Sequence, residues 1–235
     1  MEHVAPCVCV VNLGCRVNRV ESDWMESSFV QSGAVLCAED EADIIAINTC
    51  AVTGEAQAKT RKAVRRAASL PKHPLVAVTG CVANLFPAEL EAIGDNVRVL
   101  PAKLVLVEDA LGEWGKLNAS AAGEGEDASL SGAFYVYNHE NQGALVENVS
   151  SDAVPQARSA EDCLSTEDTF STSGSHAVFR ARRGVKVQDG CDNKCTYCIV
   201  WRARGKSLST PYSLIEKQVR QVLSEGALEV DLTGI

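Results

Sequence analysis

Four short aliphatic runs, separated by stretches of helical length, constrain the fold most tightly. They are Cys7–Leu13 (CVCVVNL), Asp43–Asn48 (DIIAIN), Leu75–Thr79 (LVAVT) and Val97–Leu100 (VRVL). Each is apolar nearly throughout rather than at alternate positions, which is the pattern of a strand covered on both faces, as in a parallel sheet. The intervening segments predict helices over Val20–Val30 and Glu55–Ser69, after Pro87, and over Leu104–Trp114. The expected fold class is α/β: a flavodoxin-like parallel sheet with helices on both faces and right-handed crossovers. None of the runs approaches the ~18 residues that cross a membrane. The N-terminus lacks the basic region and long apolar stretch of a secretory signal, so no membrane partner and a cytoplasmic location are expected.

The periodicity breaks between Ala119 and Ser175, where Ser, Ala, Gly, Glu and Asp dominate apart from a short apolar patch at Phe134–Tyr137. Three regions follow: 1–118, an acidic low-complexity linker or insertion over 119–175 that is expected to be mobile, and 176–235. The linker also resolves the net charge. The chain has 31 acidic and 22 basic residues, but 10 acidic and one basic lie in this stretch, leaving 21 of each elsewhere. The surplus is confined to one segment, and His176–Ile235 is basic, so an acidic total does not exclude a nucleic-acid partner. That last region predicts a strand over Val178–Val187, a helix over Pro211–Ser224 and a strand over Leu228–Leu232, the opening of a β–α–β arrangement.

Ten cysteines in a chain without a secretory signal point to metal or redox chemistry rather than to disulfides. Cys191, Cys195 and Cys198 form a C-x3-C-x2-C triplet just after a strand. Three thiolates this close can converge on one metal centre, and a centre with three protein ligands keeps an open, reactive position. The alternative is a zinc knuckle that borrows a distant ligand such as His176 or Cys163. Cys15, Cys50 and Cys81 are far apart in sequence, yet each directly follows a predicted strand. In an open parallel sheet those strand ends share one edge, so the three either meet as ligands there or serve separately as small buried hydrophobes. Cys7, Cys9 and Cys37 read as core packing and Cys163 as an incidental thiol. On the helix after Cys50, Lys59, Lys62, Arg65 and Arg66 form a basic stripe with Arg61 beside it. Arg202, Arg204 and Lys206 make a second basic cluster after the triplet. Either is a solvated face or a contact for RNA phosphates.

The triplet with Tyr197 before its last cysteine resembles the radical S-adenosylmethionine (SAM) enzymes. The run Val185–Gly205 (VKVQDGCDNKCTYCIVWRARG), with Gly14-Cys15-x-x-Asn18, Asn48-Thr49-Cys50-x-Val52 and Thr79-Gly80-Cys81, resembles their methylthiotransferase branch. The resemblance implies two [4Fe–4S] clusters. One, on Cys191, Cys195 and Cys198, binds SAM and cleaves it to a 5′-deoxyadenosyl radical. The other, on Cys15, Cys50 and Cys81, carries the sulfur to be transferred. Tyr197 lies in the SAM motif, and Thr233-Gly234 resembles the turn that approaches the methionyl part of SAM. It further implies that 176–235 is the start of a partial (β/α) radical SAM barrel. Relatives continue through that barrel and a small RNA-binding β domain, so the chain is expected to be a truncated fragment. Its 119–175 insertion is longer than usual, and Trp201 stands where related sequences commonly have proline.

The segments around Cys15 and Cys50 and the basic helix are most similar to the branch that acts on N6-threonylcarbamoyladenosine (t6A) beside the tRNA anticodon. That branch adds a methylthio group to C2 of the adenine. Lys59, Arg61, Lys62, Arg65 and Arg66 would then contact the tRNA anticodon stem-loop, and an electron donor and a sulfur donor would be required. The alternatives are the isopentenyladenosine and ribosomal-protein aspartate branches, and a non-enzymatic iron–sulfur or RNA-binding fragment.

Overall fold

A computed structural model describes residues 5–100, 106–122 and 181–235. Residues 123–175 of the expected linker, its patch at Phe134–Tyr137, Cys163, His176 and the first residues of the strand expected from Val178 lie outside the described residues. Among those described, no helix is long and apolar enough to cross a membrane.

The N-terminal half is a five-stranded parallel sheet. Its strands are β1 (Cys7–Asn12), β2 (Val35–Leu36), β3 (Ile44–Thr49), β4 (Leu75–Gly80) and β5 (Val97–Val99), in the order β2-β1-β3-β4-β5. This is the flavodoxin-like order, with its topological switch point between β1 and β3. β3 and β4 are buried along their whole length, as continuous apolar runs require.

Residues of alternate parity feed two cores. Val8, Ile44, Ala46, Leu75 and Ala77 pack against α1 (Arg16–Gln31) and α5 (Leu106–Ala122). Ile45, Ile47, Val76 and Val78 pack against α2 (Gly54–Ala68), α3 (Cys81–Leu85) and α4 (Pro87–Glu91). Cys9 and Cys37 join this second core, as expected. Cys7 instead sits half-buried at the rim, its backbone N–H donating to Asp43 Oδ2 at 2.8 Å. The start of α2 is fixed locally: Thr53 accepts from the Ala56 N–H at 3.1 Å, with Glu55 in the first turn and Arg65 and Arg66 in the last, matching the helix dipole.

Two boundaries differ from the sequence expectation. α1 starts at Arg16 rather than Val20, because Asn18, Glu21 and Ser22 are polar yet buried and interrupt the apolar stripe. α5 continues past the expected boundary at 118 to Ala122, since Ala and Ser residues that read as linker are acceptable helix formers.

In the C-terminal region β6 (Arg182–Lys186) and β9 (Glu229–Thr233) pair in parallel through the crossover helix α7 (Tyr212–Ser224), which is the expected β–α–β unit. Between them β7 (Gln188–Asp189) and β8 (Leu208–Ser209) pair antiparallel and pinch off a loop, which holds the cysteine triplet and the short helix α6 (Val200–Arg204).

Candidate functional site

Cys15, Cys50 and Cys81 lie one residue beyond the turn after β1, directly after β3 and directly after β4, at the C-terminal edge of the sheet. Cys15 and Cys50 flank the switch point, where open α/β sheets bind ligands. At that edge the Cys15 and Cys50 thiols are paired, and Cys81 lies within electrostatic range of Cys50. Cys50 and Cys81 are buried and Cys15 half-buried. The bond to Cys50 holds the Cys15 thiol down to about 5 against the opposing effect of burial. The Asn18 and Val17 backbone and the Arg204 guanidinium act in the same direction. The same bond and burial push Cys50 upward.

A lattice of buried hydrogen bonds fixes this edge. Asn18 Nδ2 donates to Asn48 Oδ1 and to the Thr49 carbonyl, both at 2.8 Å, and Asn48 Nδ2 donates to the Asn18 carbonyl at 2.9 Å. Asn18 Oδ1 stands 3.1 Å from Cys15 Sγ and accepts from it only when the thiol is protonated. Thr49 Oγ1 donates to the Thr79 carbonyl at 2.7 Å and accepts from the Val82 and Ala83 N–H groups. A strand residue therefore caps the helix that Cys81 begins. Gly80 has φ +94°, and a Cβ there would stand 2.4 Å from the Thr49 carbonyl oxygen, so only glycine fits before Cys81.

The second set has different surroundings. Cys191, Cys195 and Cys198 are half-buried on a loop whose base is tied by Cys191 N–H to the Gly205 carbonyl at 3.0 Å and Ser207 N–H to Asp192 Oδ1 at 3.2 Å. Tyr197 is 90% exposed, so it stands at the outer surface of the loop. Thr233 pairs with Lys186 at the end of β6, and the Ile235 N–H, just past Gly234, donates to Gln188 Oε1 at 2.7 Å. Thr233 and Gly234 thus sit beside the strand that leads into the triplet.

The two sets occupy neighbouring positions. α6 follows Cys198 and docks on α3, with Ala203 in the core beside Val82 and Ala83 and with Asn84 Nδ2 donating to the Ala203 carbonyl at 2.8 Å. Arg204 completes the junction. Its Nη2 donates to Asn18 Oδ1 at 3.0 Å, and its Nη1 donates to Glu21 Oε1 at 3.0 Å and Asp189 Oδ1 at 2.7 Å.

Among the described residues, no three His, Cys, Asp or Glu side chains are arranged to hold a single metal ion. The cysteines of a polynuclear cluster bind different metal atoms and stand further apart than the ligands of one ion. Two all-sulfur trios, one beside a buried guanidinium, have the donor chemistry of that second case.

Residues 7–101, which include Cys15, Cys50 and Cys81, match the family described as uncharacterized protein family UPF0004. Over 97% of its length the chain is 30% identical to threonylcarbamoyladenosine tRNA methylthiotransferase MtaB of Treponema pallidum, of which it covers 53%. Over 95% it is 31% identical to the MtaB of Bacillus subtilis, covering 42% of that protein. Over 96% it is 26% identical to the tRNA-2-methylthio-N(6)-dimethylallyladenosine synthase of Novosphingobium aromaticivorans, covering 43%. Nearly the whole chain is thus similar to tRNA methylthiotransferases. It spans about half the length of the curated relatives it matches.

The basic helix does not present five equivalent cations. Lys59 pairs with Glu55 at 2.7 Å, Arg66 with Glu39 at 2.5 Å, and Arg61 lies 3.9 Å from Glu89. Lys62 and Arg65 are exposed and form no ion pair among the described residues. Arg204 requires a correction: grouped in sequence with Arg202 and Lys206 as a surface cation, it is buried, because Glu21, Asp189 and Asn18 enclose it. Sequence reasoning also missed Glu21, Lys186 and Asp189. Asn18, Asn48, Thr49, Lys186 and Asp189 lay inside the quoted motifs, but nothing local marked Glu21, whose partners Lys186 and Arg204 are more than a hundred residues away.

Proposed function

We propose that this chain carries the two cysteine centres of a tRNA methylthiotransferase that modifies C2 of t6A beside the anticodon. The observation that supports this reading is the placement of Cys15, Cys50 and Cys81 after three adjacent parallel strands, at the sheet edge next to the junction with the Cys191–Cys198 loop. Residues 1–118, extended by α5 to 122, form the domain that holds the first centre; 176–235 open the SAM domain, and the acidic segment joins them.

When bound, the two [4Fe–4S] clusters and SAM supply the sulfur-carrying and radical chemistry. Cys15, Cys50 and Cys81 would hold one cluster and Cys191, Cys195 and Cys198 the other. Burial of Cys50 and Cys81 keeps water from the first centre, and Asn18 and Thr49 fix the backbone that aims its ligands. Thr233 and Gly234, beside Gln188, would border the SAM site, with Tyr197 at its outer rim. Lys62 and Arg65, without an ion pair among the described residues, offer charge to the phosphates of the anticodon stem-loop, with Lys59, Arg61 and Arg66 adding to the field. An electron donor and a sulfur donor complete the partners.

Two measurements test this. Anaerobic reconstitution should load about eight irons per chain, and Cys15→Ala or Cys195→Ala about four; a single zinc would replace this reading with a structural metal protein. Mass spectrometry of tRNA from cells lacking the full-length gene should show loss of the methylthio form of t6A and its return on complementation. Loss of the isopentenyladenosine form instead would move the substrate to the other tRNA branch.

A further inference from the structure

Arg204 is a fully enclosed cation, and its partners all belong to one apparatus. Three of its hydrogen bonds to α1 reach Asn18 Oδ1 at 3.0 Å, Glu21 Oε1 at 3.0 Å and Glu21 Oε2 at 3.5 Å. A fourth, at 2.7 Å, goes to Asp189 Oδ1, two residues before Cys191. Lys186 Nζ closes the ring, 2.9 Å from both Glu21 Oε1 and Asp189 Oδ2 and 5.8 Å from the centre of the Trp24 ring. Two cations and two carboxylates thus alternate across the boundary between the two halves of the chain. Buried quartets of this kind contribute little net stability compared with an apolar core, because desolvation offsets the attraction. What such a quartet does secure is a fixed arrangement of charge and of hydrogen-bonding partners.

That arrangement converges on the first cysteine set. Asn18, held by Arg204, touches Cys15 Sγ through its Oδ1 and the residues just before Cys50 through its Nδ2. α6, which Arg204 ends, starts two residues after Cys198 and packs on the helix that Cys81 begins. We propose that Arg204, from the other half of the chain, is the positioning residue of the Cys15/Cys50/Cys81 centre. It orients Asn18 and sets one fixed positive charge beside the thiolates, and it locks the spacing between the two cysteine sets. This rests on the reading in which Cys15, Cys50 and Cys81 hold an iron–sulfur cluster.

Two arms test it. The first uses the reconstituted chain with Cys191, Cys195 and Cys198 changed to Ala, so that the first set alone is loaded, and measures the midpoint potential. Arg204→Gln leaves Glu21 and Asp189 opposed by Lys186 alone and should favour the oxidised cluster about tenfold, 59 mV for a one-electron couple. Arg204→Lys should recover most of this, and Glu21→Gln should shift the potential in the opposite sense. A purely structural role predicts neither the opposed signs nor the rescue. The second arm measures amide hydrogen exchange in the metal-free chain. Arg204→Gln should speed exchange at least tenfold over Asn18–Ser22 and Val200–Ala203. Should Arg204→Gln not fold, the charge-balanced double variant Glu21→Gln/Arg204→Gln serves, with Asn18 still unanchored and its exchange still fast. Equal potentials across the variants at full iron occupancy, or wild-type exchange in the folded double variant, overturn the proposal. If the wild-type first set takes up no cluster, the functional reading falls, and the exchange arm still decides whether Arg204 positions Asn18.

Discussion

The two cysteine sets have the same donors and opposite surroundings. Cys15, Cys50 and Cys81 are collected from three strand ends and held by a dense, buried hydrogen-bond lattice. Cys191, Cys195 and Cys198 come from eight consecutive residues on a loop tied mainly at its base, with Tyr197 out in solvent. The contrast separates two ways to make a three-thiol site. In the first the fold collects the thiols at one edge; in the second sequence proximity does so and the fold has only to place the loop.

Substitutions can break that contrast. The largest effect is expected for Gly80→Ala, where a Cβ would meet the Thr49 carbonyl at 2.4 Å and φ is +94°. Urea unfolding of the metal-free chain should show a loss of roughly 2–4 kcal/mol. Asn18→Ala leaves Asn48 Oδ1 without its donor and Arg204 Nη2 with only its 3.5 Å contact to Glu21 Oε2 in a buried place, and should cost about 2–3 kcal/mol in the same assay. Thr49→Val removes the cap of α3 and should cost about 1–2 kcal/mol. Gly190→Ala sharpens the comparison from the other side. Its φ is +77° and its Cβ would meet the Lys206 carbonyl at 2.0 Å, so the loop must distort. Iron uptake by the second set should fall while unfolding of the five-stranded sheet is nearly unchanged. The smallest effects lie on the α2 surface. Lys62→Glu and Arg65→Glu should each weaken tRNA binding and lower the slope of log K against log salt by roughly 1. Lys59→Glu, at a cation already paired with Glu55, should change both less.

How much of this was legible follows from where each signal is stored. The sheet was legible because β3 and β4 are apolar along their whole length, and the helices between them fixed their parallel sense. β2 was not, since two residues after a turn carry no pattern and pairing with β1 alone makes them a strand. The cysteines were legible as strand-end residues, but the lattice that joins them was visible only in part. Asn18, Asn48 and Thr49 stood inside recognisable motifs, whereas nothing in the sequence set Glu21 apart from the other carboxylates of α1. Arg204 was misread for the same reason: nothing within ten residues of it announces that carboxylates at 21 and 189 will enclose its charge. Polar residues at buried positions follow no periodicity, so those that organise the site were the ones that sequence patterns misplaced.

The strand order has a consequence for biogenesis. Cys191, Cys195 and Cys198 are close along the chain whether or not it is folded. The donors at 15, 50 and 81 become neighbours only after β1, β3 and β4 have zipped together across sixty-six residues of polypeptide. Assembly of the distributed set is therefore coupled to folding of the sheet, and that of the contiguous set is not.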